Sequence, residues 1–236
     1  SYCKDNKVQT IGICDSYNLC GALEFSEKVS KSGSQPIIGT QINFNLEGVS
    51  GRLPLFSTSL LGYKNLIELS SKSYLDSDEK SDPHCKIEIL KIINQDIILL
   101  SGNLYGFFGK LFKLNKLKQI EETIKELKNI FNDRFYFEIQ RHNEPDEEIF
   151  ENFIIELSAK YQIPLIATQE VFYLTKDMYE AHDALVCIGQ KNFVNDTNRI
   201  RYSDQHYLKK HEELVELFKD IPEALENNYN FPYRFN

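Results

Sequence analysis

The sequence contains no uninterrupted apolar run that approaches the ~20 residues of a membrane-spanning helix. Its first ten residues, SYCKDNKVQT, lack the basic segment followed by an apolar one that marks a secretory signal. Neither G-x-G-x-x-G nor G-x-x-x-x-G-K-[ST] is present, which excludes the commonest phosphate-binding loops of nucleotide-binding folds. These absences predict a cytoplasmic protein with no membrane partner.

The chain also lacks paired cysteines and an excess of positive charge. Its five cysteines are scattered, and none stands in the C-x-x-C spacing of a zinc site or a redox pair, so we expect reduced thiols. The net charge is -8, whereas proteins that bind nucleic acid by themselves generally carry a basic face. We therefore expect no strong DNA binding by this chain alone.

Short apolar runs rich in β-branched residues alternate with segments of helical period. Strands are predicted at 9–15, 35–46, 52–58, 96–102, 134–140 and 163–168, and helices at 18–33, 60–75, about 118–131, from 146 onward and over 211–228. From 177 onward the pattern is mostly helical, and 76–84 is predicted to be a polar loop. The alternation favours an α/β fold, a parallel sheet with barrel-like closure, in one domain spanning 1–236.

Polar residues follow the predicted strands at the point where each strand ends. These residues are Asp15, Gln41, Asn103, Gln140 to His142 and Glu170. Because the carboxyl ends of parallel strands share one face of a sheet, we expect these side chains to converge on one mouth. Such a layout is typical of metal-dependent hydrolases and of sugar enzymes, yet only one of the five histidines, His142, lies there.

Six segments are similar, in the same order, to the PHP (polymerase and histidinol phosphatase) domain at the N-terminus of bacterial DNA polymerase III alpha subunits. They are TIGICDSYNLCGALEFSEKVSKSGSQPIIGTQINF (10–44), LLGYKNLIELSSKSY (60–74), DIILLSG (96–102), FYFEIQRHNEPDEE (135–148), IPLIATQEVFYLTKDMYEAHDALVCIGQ (163–190) and YLKKHEELVELFKDIPEALENN (207–228). The resemblance implies a distorted (βα)7-type barrel. The family's first strand, which carries His-x-His, has no counterpart in this sequence, and neither do the modules of a DNA-directed DNA polymerase (nucleotidyltransferase).

The positions that match the family's metal ligands, as the resemblance places them, are occupied here by Asp15, Gln41, Arg52, Asn103, His142, Glu170 and Phe172. His142 matches the family's residue, and Asp15 matches the aspartate of an Asp-His pair whose histidine is replaced by Ser16. Phenylalanine offers no lone pair, a neutral amide is a poor substitute for a carboxylate, and arginine is a permanent cation. We therefore expect no catalytic residue, no bound metal and no cofactor in this chain. We also expect Arg52 near Asp15 or Glu170, in place of the metal's charge.

The resemblance implies a catalytically degenerate domain with a structural role in bacterial DNA replication. Its implied partners are the proofreading exonuclease subunit and the remainder of the polymerase alpha chain. One alternative is an active metal-dependent phosphoesterase, such as a 3'-5' exonuclease. Another is an unrelated barrel enzyme of sugar metabolism.

The remaining histidines are expected to be structural or exposed. His182 and Asp183 are neighbours on a predicted helix and point in different directions, which favours a structural or capping role. We expect a surface position for His84 beside Cys85, and solvated surface positions for His206 and His211.

Overall fold

The computed structural model describes residues 2–78 and 80–235. Its strands are Thr10–Ser16 (β1), Gln35–Leu46 (β2), Val49–Ser57 (β3), His84–Lys86 (β4), Ile97–Leu100 (β5), Phe135–Ile139 (β6) and Leu165–Ala167 (β7). Its α-helices are Tyr2–Asp5 (α1), Ala22–Lys31 (α2), Leu60–Leu75 (α3), Phe107–Lys113 (α4), Leu117–Phe131 (α5), Glu147–Tyr161 (α6), Tyr179–Gln190 (α7), His211–Leu217 (α8) and Pro222–Asn230 (α9). Short 3-10 turns cover Ile87–Lys91, Asn132–Arg134, Lys176–Met178 and Phe231–Arg234.

The strands form one mixed sheet in the order β1-β2-β3-β5-β6-β7, with β4 paired to β2 beside this path. The pairs β1–β2, β2–β4, β5–β6 and β6–β7 are parallel, whereas β3 is antiparallel to both of its neighbours. The α/β class is thus confirmed. The prediction of a wholly parallel sheet was wrong at β3.

The exception at β3 arises from a tight hairpin. Leu46 pairs with Val49, so only Glu47 and Gly48 connect β2 to β3. Both connecting residues have positive φ, 47° and 84°, as a type I′ turn requires. Because β3 runs against the other strands, its beginning, with Arg52, lies at the edge where the parallel strands end.

The sheet is curled into a half-barrel rather than flat. In a flat sheet of this order, β1 and β6 would lie four strand spacings apart, roughly 19 Å. However, burial raises the pKa of the Cys14 thiol on β1, and the negative charge of Glu138 on β6 raises it further. The curvature therefore brings the inward-facing side chains of distant strands together.

Apolar side chains of the central strands and the surrounding helices form the core. All residues of β5 and β6 are buried, including Glu138. Helix α5 buries the face predicted from its period, which comprises Ile120, Ile124, Leu127 and Phe131. Among the described residues, no helix is both long and apolar enough to span a membrane.

Helix α3 shows how local sequence fixes an element against the sheet. Ser59 caps it by accepting hydrogen bonds from the backbone N–H groups of Leu61 (3.1 Å) and Gly62 (3.3 Å). The Ser59 hydroxyl also donates to the Asp96 carboxylate (2.6 Å), just before β5. A Cβ on Gly62 would lie 2.1 Å from the Asp96 carbonyl oxygen, so only glycine permits this close approach.

Two side-chain amides cover the outer edge of β7. Asn228 accepts a hydrogen bond from the Ala167 N–H (3.0 Å) and donates to the Ala167 carbonyl, and Asn227 donates to the Leu165 carbonyl (2.7 Å). Helix α9 thereby satisfies polar groups that a further strand would otherwise pair.

The segment 211–228, predicted to be helical, forms α8 and α9, which are separate because Pro222 lacks the N–H that a continuous helix would use. Two further predictions about the chain needed correction. After α7 the chain is irregular from 191 to 210 rather than helical. His84 lies in β4 beside the buried Cys85, not on a surface loop, and Glu79 of the predicted loop 76–84 lies outside the described residues.

Candidate functional site

A cavity opens at the edge of the sheet where the parallel strands end. It holds about 30 Å³ of solvent space, enough for one or two water molecules. Four of the predicted strand-end residues line it, namely Asn103, Gln140, His142 and Glu170. The lining also includes side chains that sequence reasoning did not select: Tyr105, Glu138, Glu144, Glu147, Glu151, Tyr202 and His206.

His142 follows β6 and is almost wholly buried. Its Nε2 accepts a hydrogen bond from the backbone N–H of Glu170 (3.2 Å), so that nitrogen carries no proton. The proton therefore resides on Nδ1, which lies 3.5 Å from the Glu147 carboxylate. Glu147 also accepts a hydrogen bond from the His142 backbone N–H (2.7 Å), which fixes the residue at the strand end.

His206 stacks directly on His142, with ring centroids 4.2 Å apart and planes 3° from parallel. Its Nδ1 lies 3.0 Å from the Glu170 carbonyl oxygen, which can only accept, so Nδ1 carries the proton. Nε2 then turns its lone pair toward the Glu144 carboxylate at 3.4 Å. The two imidazoles together bind both the N–H and the C=O of Glu170.

The stack continues through Phe172. Its ring lies 4.7 Å from His206 at an 18° angle, and 5.0 Å from His182 at 9°. Tyr202 packs against the same phenylalanine at 4.8 Å. Phe172 thus stands between two imidazoles at the position where the resemblance places a metal-binding histidine. We call the rings of His142, His206, Phe172 and His182 the ring stack.

A hydrogen-bonded chain crosses the ends of β5, β6 and β7. Asn103 donates to Gln140 (2.9 Å), and Gln140 donates to Glu138 Oε1 (3.0 Å), which also accepts from Thr168. Burial raises the pKa of Glu138, and its Oε2 has no hydrogen-bond partner. A neutral carboxylic acid at this position would carry no uncompensated buried charge.

Arg52 lies at the same edge because β3 is antiparallel. Its Nη1 donates a hydrogen bond to the hydroxyl of Ser16, the residue that follows Asp15 (3.0 Å). This contact is with a hydroxyl group rather than with the carboxylate of Asp15 or Glu170. Its charge nevertheless acts on Glu170, since burial raises the pKa of that carboxyl and Arg52 opposes the rise.

Asp15 and Gln41 are not among the described residues that line the cavity. Asp15 is exposed, and the Gln41 amide donates to the Cys14 carbonyl (3.4 Å). The prediction for His206 was wrong, because this residue is 3% exposed. His182 belongs to the ring stack, and Asp183 forms a bidentate ion pair with Arg199, which agrees with their predicted structural roles.

The donor set does not fit a bound metal ion. Among the described residues, no three histidine, cysteine, aspartate or glutamate side chains are grouped so as to hold one. His142 uses its only lone pair on the Glu170 N–H. The free lone pair of His206 and the Glu144 carboxylate make only a two-donor pair.

The chain is similar in sequence to a known domain family and to known proteins. The sequence model of the PHP domain matches residues 1–142. The DNA polymerase III subunit alpha of Rickettsia bellii is 39% identical over 229 residues, and that of Caulobacter vibrioides is 36% identical over 238 residues. Each match covers 97% of this chain, but the chain spans only about a fifth of either relative, 20% and 21%.

The comparison with solved structures also found a crystal structure from Bifidobacterium adolescentis, described as that of a metal-dependent phosphoesterase. The TM-score is 0.41 at 11% identity, over 71% of this chain and 79% of the other. This likeness is too distant to carry a function across.

The ring stack predicts a stability change with pH. Burial, together with the neighbouring His142, lowers the pKa of His206 from 6.5 to about 4. Between these values the unfolded histidine binds a proton that the folded one does not, so acid favours unfolding. Protonation of His206 should lower the free energy of unfolding by about 3 kcal/mol as pH falls from 6.5 to 4. Chemical denaturation between pH 6.5 and 4 should show a smaller loss of stability for His206→Gln than for the wild type.

The matched control is His211→Gln, because His211 is exposed five residues away. It should keep the wild-type pH dependence. Glu138 and Glu170 have raised pKa values and therefore contribute stability that is lost as pH rises, so the informative quantity is the difference between variant and wild type. Identical pH profiles for His206→Gln and wild type would contradict a neutral, buried His206.

Proposed function

Because this chain belongs to the PHP domain family and is similar to DNA polymerase III alpha subunits over 97% of its length, we propose that it is a catalytically degenerate domain of a replicative DNA polymerase. Its role in this proposal is structural and partner-binding. The polymerase activity would belong to the four-fifths of the relatives' length that this chain does not match.

The proposal that the metal site is degenerate rests on the hydrogen bonds of His142. A metal ligand must offer a free lone pair, and neutral imidazole has only one. In His142 that lone pair accepts the Glu170 N–H, while Nδ1–H points toward Glu147. The one retained histidine therefore acts as a structural hydrogen-bonding group.

The neighbouring positions support the same conclusion. Phe172 contributes a ring to the stack and no donor atom. Arg52 brings a fixed positive charge that acts on Glu170, and this charge would oppose a cation bound beside that carboxylate. In this proposal the fold survives without metal ligands because the ring stack and the Asn103–Gln140–Glu138 hydrogen bonds hold the strand ends together.

The proposed partners are the remainder of the polymerase alpha chain and the proofreading exonuclease subunit. The net charge of -8 argues against a direct role in holding DNA. A domain without chemistry or strong DNA contact can still act by presenting surface to protein partners.

One observation favours an active metal-dependent phosphoesterase as the second candidate. Glu144, Glu147 and Glu170 line the cavity together, and the His206 Nε2 lies 3.4 Å from the Glu144 carboxylate. A movement of residues 170–206 could bring further metal-binding atoms beside His206 Nε2 and the Glu144 carboxylate.

Metal analysis of the full-length polymerase chain, with its native N-terminus, separates the two candidates. We expect zinc, manganese and iron at well below one equivalent by mass spectrometry, and no hydrolysis of single-stranded DNA. His142→Asn is the control, because it should change neither result. Several equivalents of metal together with nuclease activity, both lost in His142→Asn, would establish the enzyme instead.

Partner binding is tested separately by a pull-down. The full-length alpha chain should retain the exonuclease subunit, and an alpha chain from which residues 1–236 have been deleted should lose most of it. The shortened chain must still extend a primer, which shows that its polymerase part remains folded. Equal retention by both chains would place the exonuclease contact outside this domain.

A further inference from the structure

One face of α7 carries a continuous row of apolar side chains exposed to solvent. Met178, Ala181, Leu185 and Ile188 follow each other at the three- and four-residue spacing that aligns side chains along a helix. Leu185 is 63% exposed and Ile188 is 74% exposed. Phe193 and Val194, just beyond the helix, extend the row, and Phe193 is 79% exposed. We call these six residues the α7 stripe.

Helix α7 is apolar, yet it buries little against its own domain. Of its twelve residues two are buried, Asp183 and Cys187. An amphipathic helix normally turns its apolar side to the core and its polar side to water. Here much of the apolar surface faces outward, in a contiguous patch of the kind that marks protein interaction sites.

The segment that carries Phe193 and Val194 is held in place. Arg199 donates to both oxygens of Asp183 (2.6 and 2.7 Å), and these two side chains are 3% and 8% exposed. Arg199 also donates to the Val194 carbonyl from Nε (3.2 Å) and Nη2 (3.1 Å). The Phe193 N–H is bound by the Asp196 carboxylate (2.7 Å). The exposed aromatic ring therefore sits on a fixed backbone, which lowers the entropy cost of binding.

We propose that the α7 stripe is the docking face for the remainder of the polymerase alpha chain, covered by an apolar helix face of that chain. This inference rests on the proposed function. It adds the surface through which this domain meets the rest of its own polypeptide.

The nature of the stripe favours a permanent, covalently attached occupant. The curated relatives are about five times as long as the matched region, so most of such a polypeptide lies outside it. A linked segment is present at high effective concentration at all times, whereas a separate subunit must first associate. Continuous cover also avoids the aggregation that an exposed apolar row invites.

The chemistry of the stripe points to an apolar protein surface as its complement. None of its six side chains carries a charge, which disfavours nucleic acid. Lys176, Asp177, Glu180 and Lys191 lie beside it and supply charges of both signs. An apolar centre with a mixed polar rim is the usual composition of a protein–protein interface.

Hydroxyl-radical footprinting of the full-length polymerase alpha chain tests this proposal. We expect Leu185, Ile188 and Phe193 to be labelled about tenfold more slowly than Leu75 and Ile92, because burial in an interface removes most of their accessible surface. The two control residues are 81% and 82% exposed and lie outside the stripe.

Ile188→Asp in the full-length chain should restore labelling at Phe193, and Ile92→Asp should not. Both substitutions replace exposed side chains, so the domain itself should stay folded. Labelling of the stripe at the control rate overturns the proposal. Protection of the α7 stripe that appears only after the exonuclease subunit is added, or only at higher concentrations of the alpha chain, also overturns the proposal. Full labelling in a chain that is metal-free and retains the exonuclease subunit would refute the docking face alone and leave the proposed function standing.

Discussion

The peptide group of Glu170 is held on both sides by the stacked imidazoles of His142 and His206, and the organisation of the cavity depends on this contact. Buried backbone N–H and C=O groups must find partners, and the irregular segment after β7 has no strand to supply them. The histidines supply both. They also orient Phe172, which lies two residues on and extends the stack to His182 on α7. A single set of contacts therefore ties the end of β6, the segment after β7, the 206 region and α7 together.

If the site is degenerate, as proposed, this arrangement gives it a way to keep its shape without a metal ion. A bound cation would organise the same side chains by attracting their lone pairs. In this structure ring stacking, neutral hydrogen bonds and the fixed charge of Arg52 organise those side chains. Each ring contact contributes only about 0.5–1.5 kcal/mol beyond burial, but several of them act on one short segment. The raised pKa of Glu138 fits the same environment, because burial favours the neutral acid.

Sequence reasoning succeeded where local signals are strong. The bounds of β2 and α3 were predicted as observed, since β2 is a long run with many apolar β-branched residues and Ser59 caps α3. It placed β3 in the sheet but missed its direction, which Glu47 and Gly48 determine by adopting positive φ together. His206 could not be located from local pattern. It reaches the cavity through the Tyr173–Tyr207 bridge, a tertiary contact across 34 residues, and nothing in the adjacent sequence encodes that pairing.

The central claim is that the His142 lone pair is committed to the Glu170 N–H. Nitrogen-15 NMR of the histidine side chains measures this directly, since the shifts and couplings of the two ring nitrogens report which one carries the proton. The account predicts that His142 is protonated at Nδ1 and unprotonated at Nε2 at pH 7, and that adding zinc leaves both signals in place. A proton on Nε2, or a zinc-dependent shift of the Nε2 signal at stoichiometric metal, would contradict it.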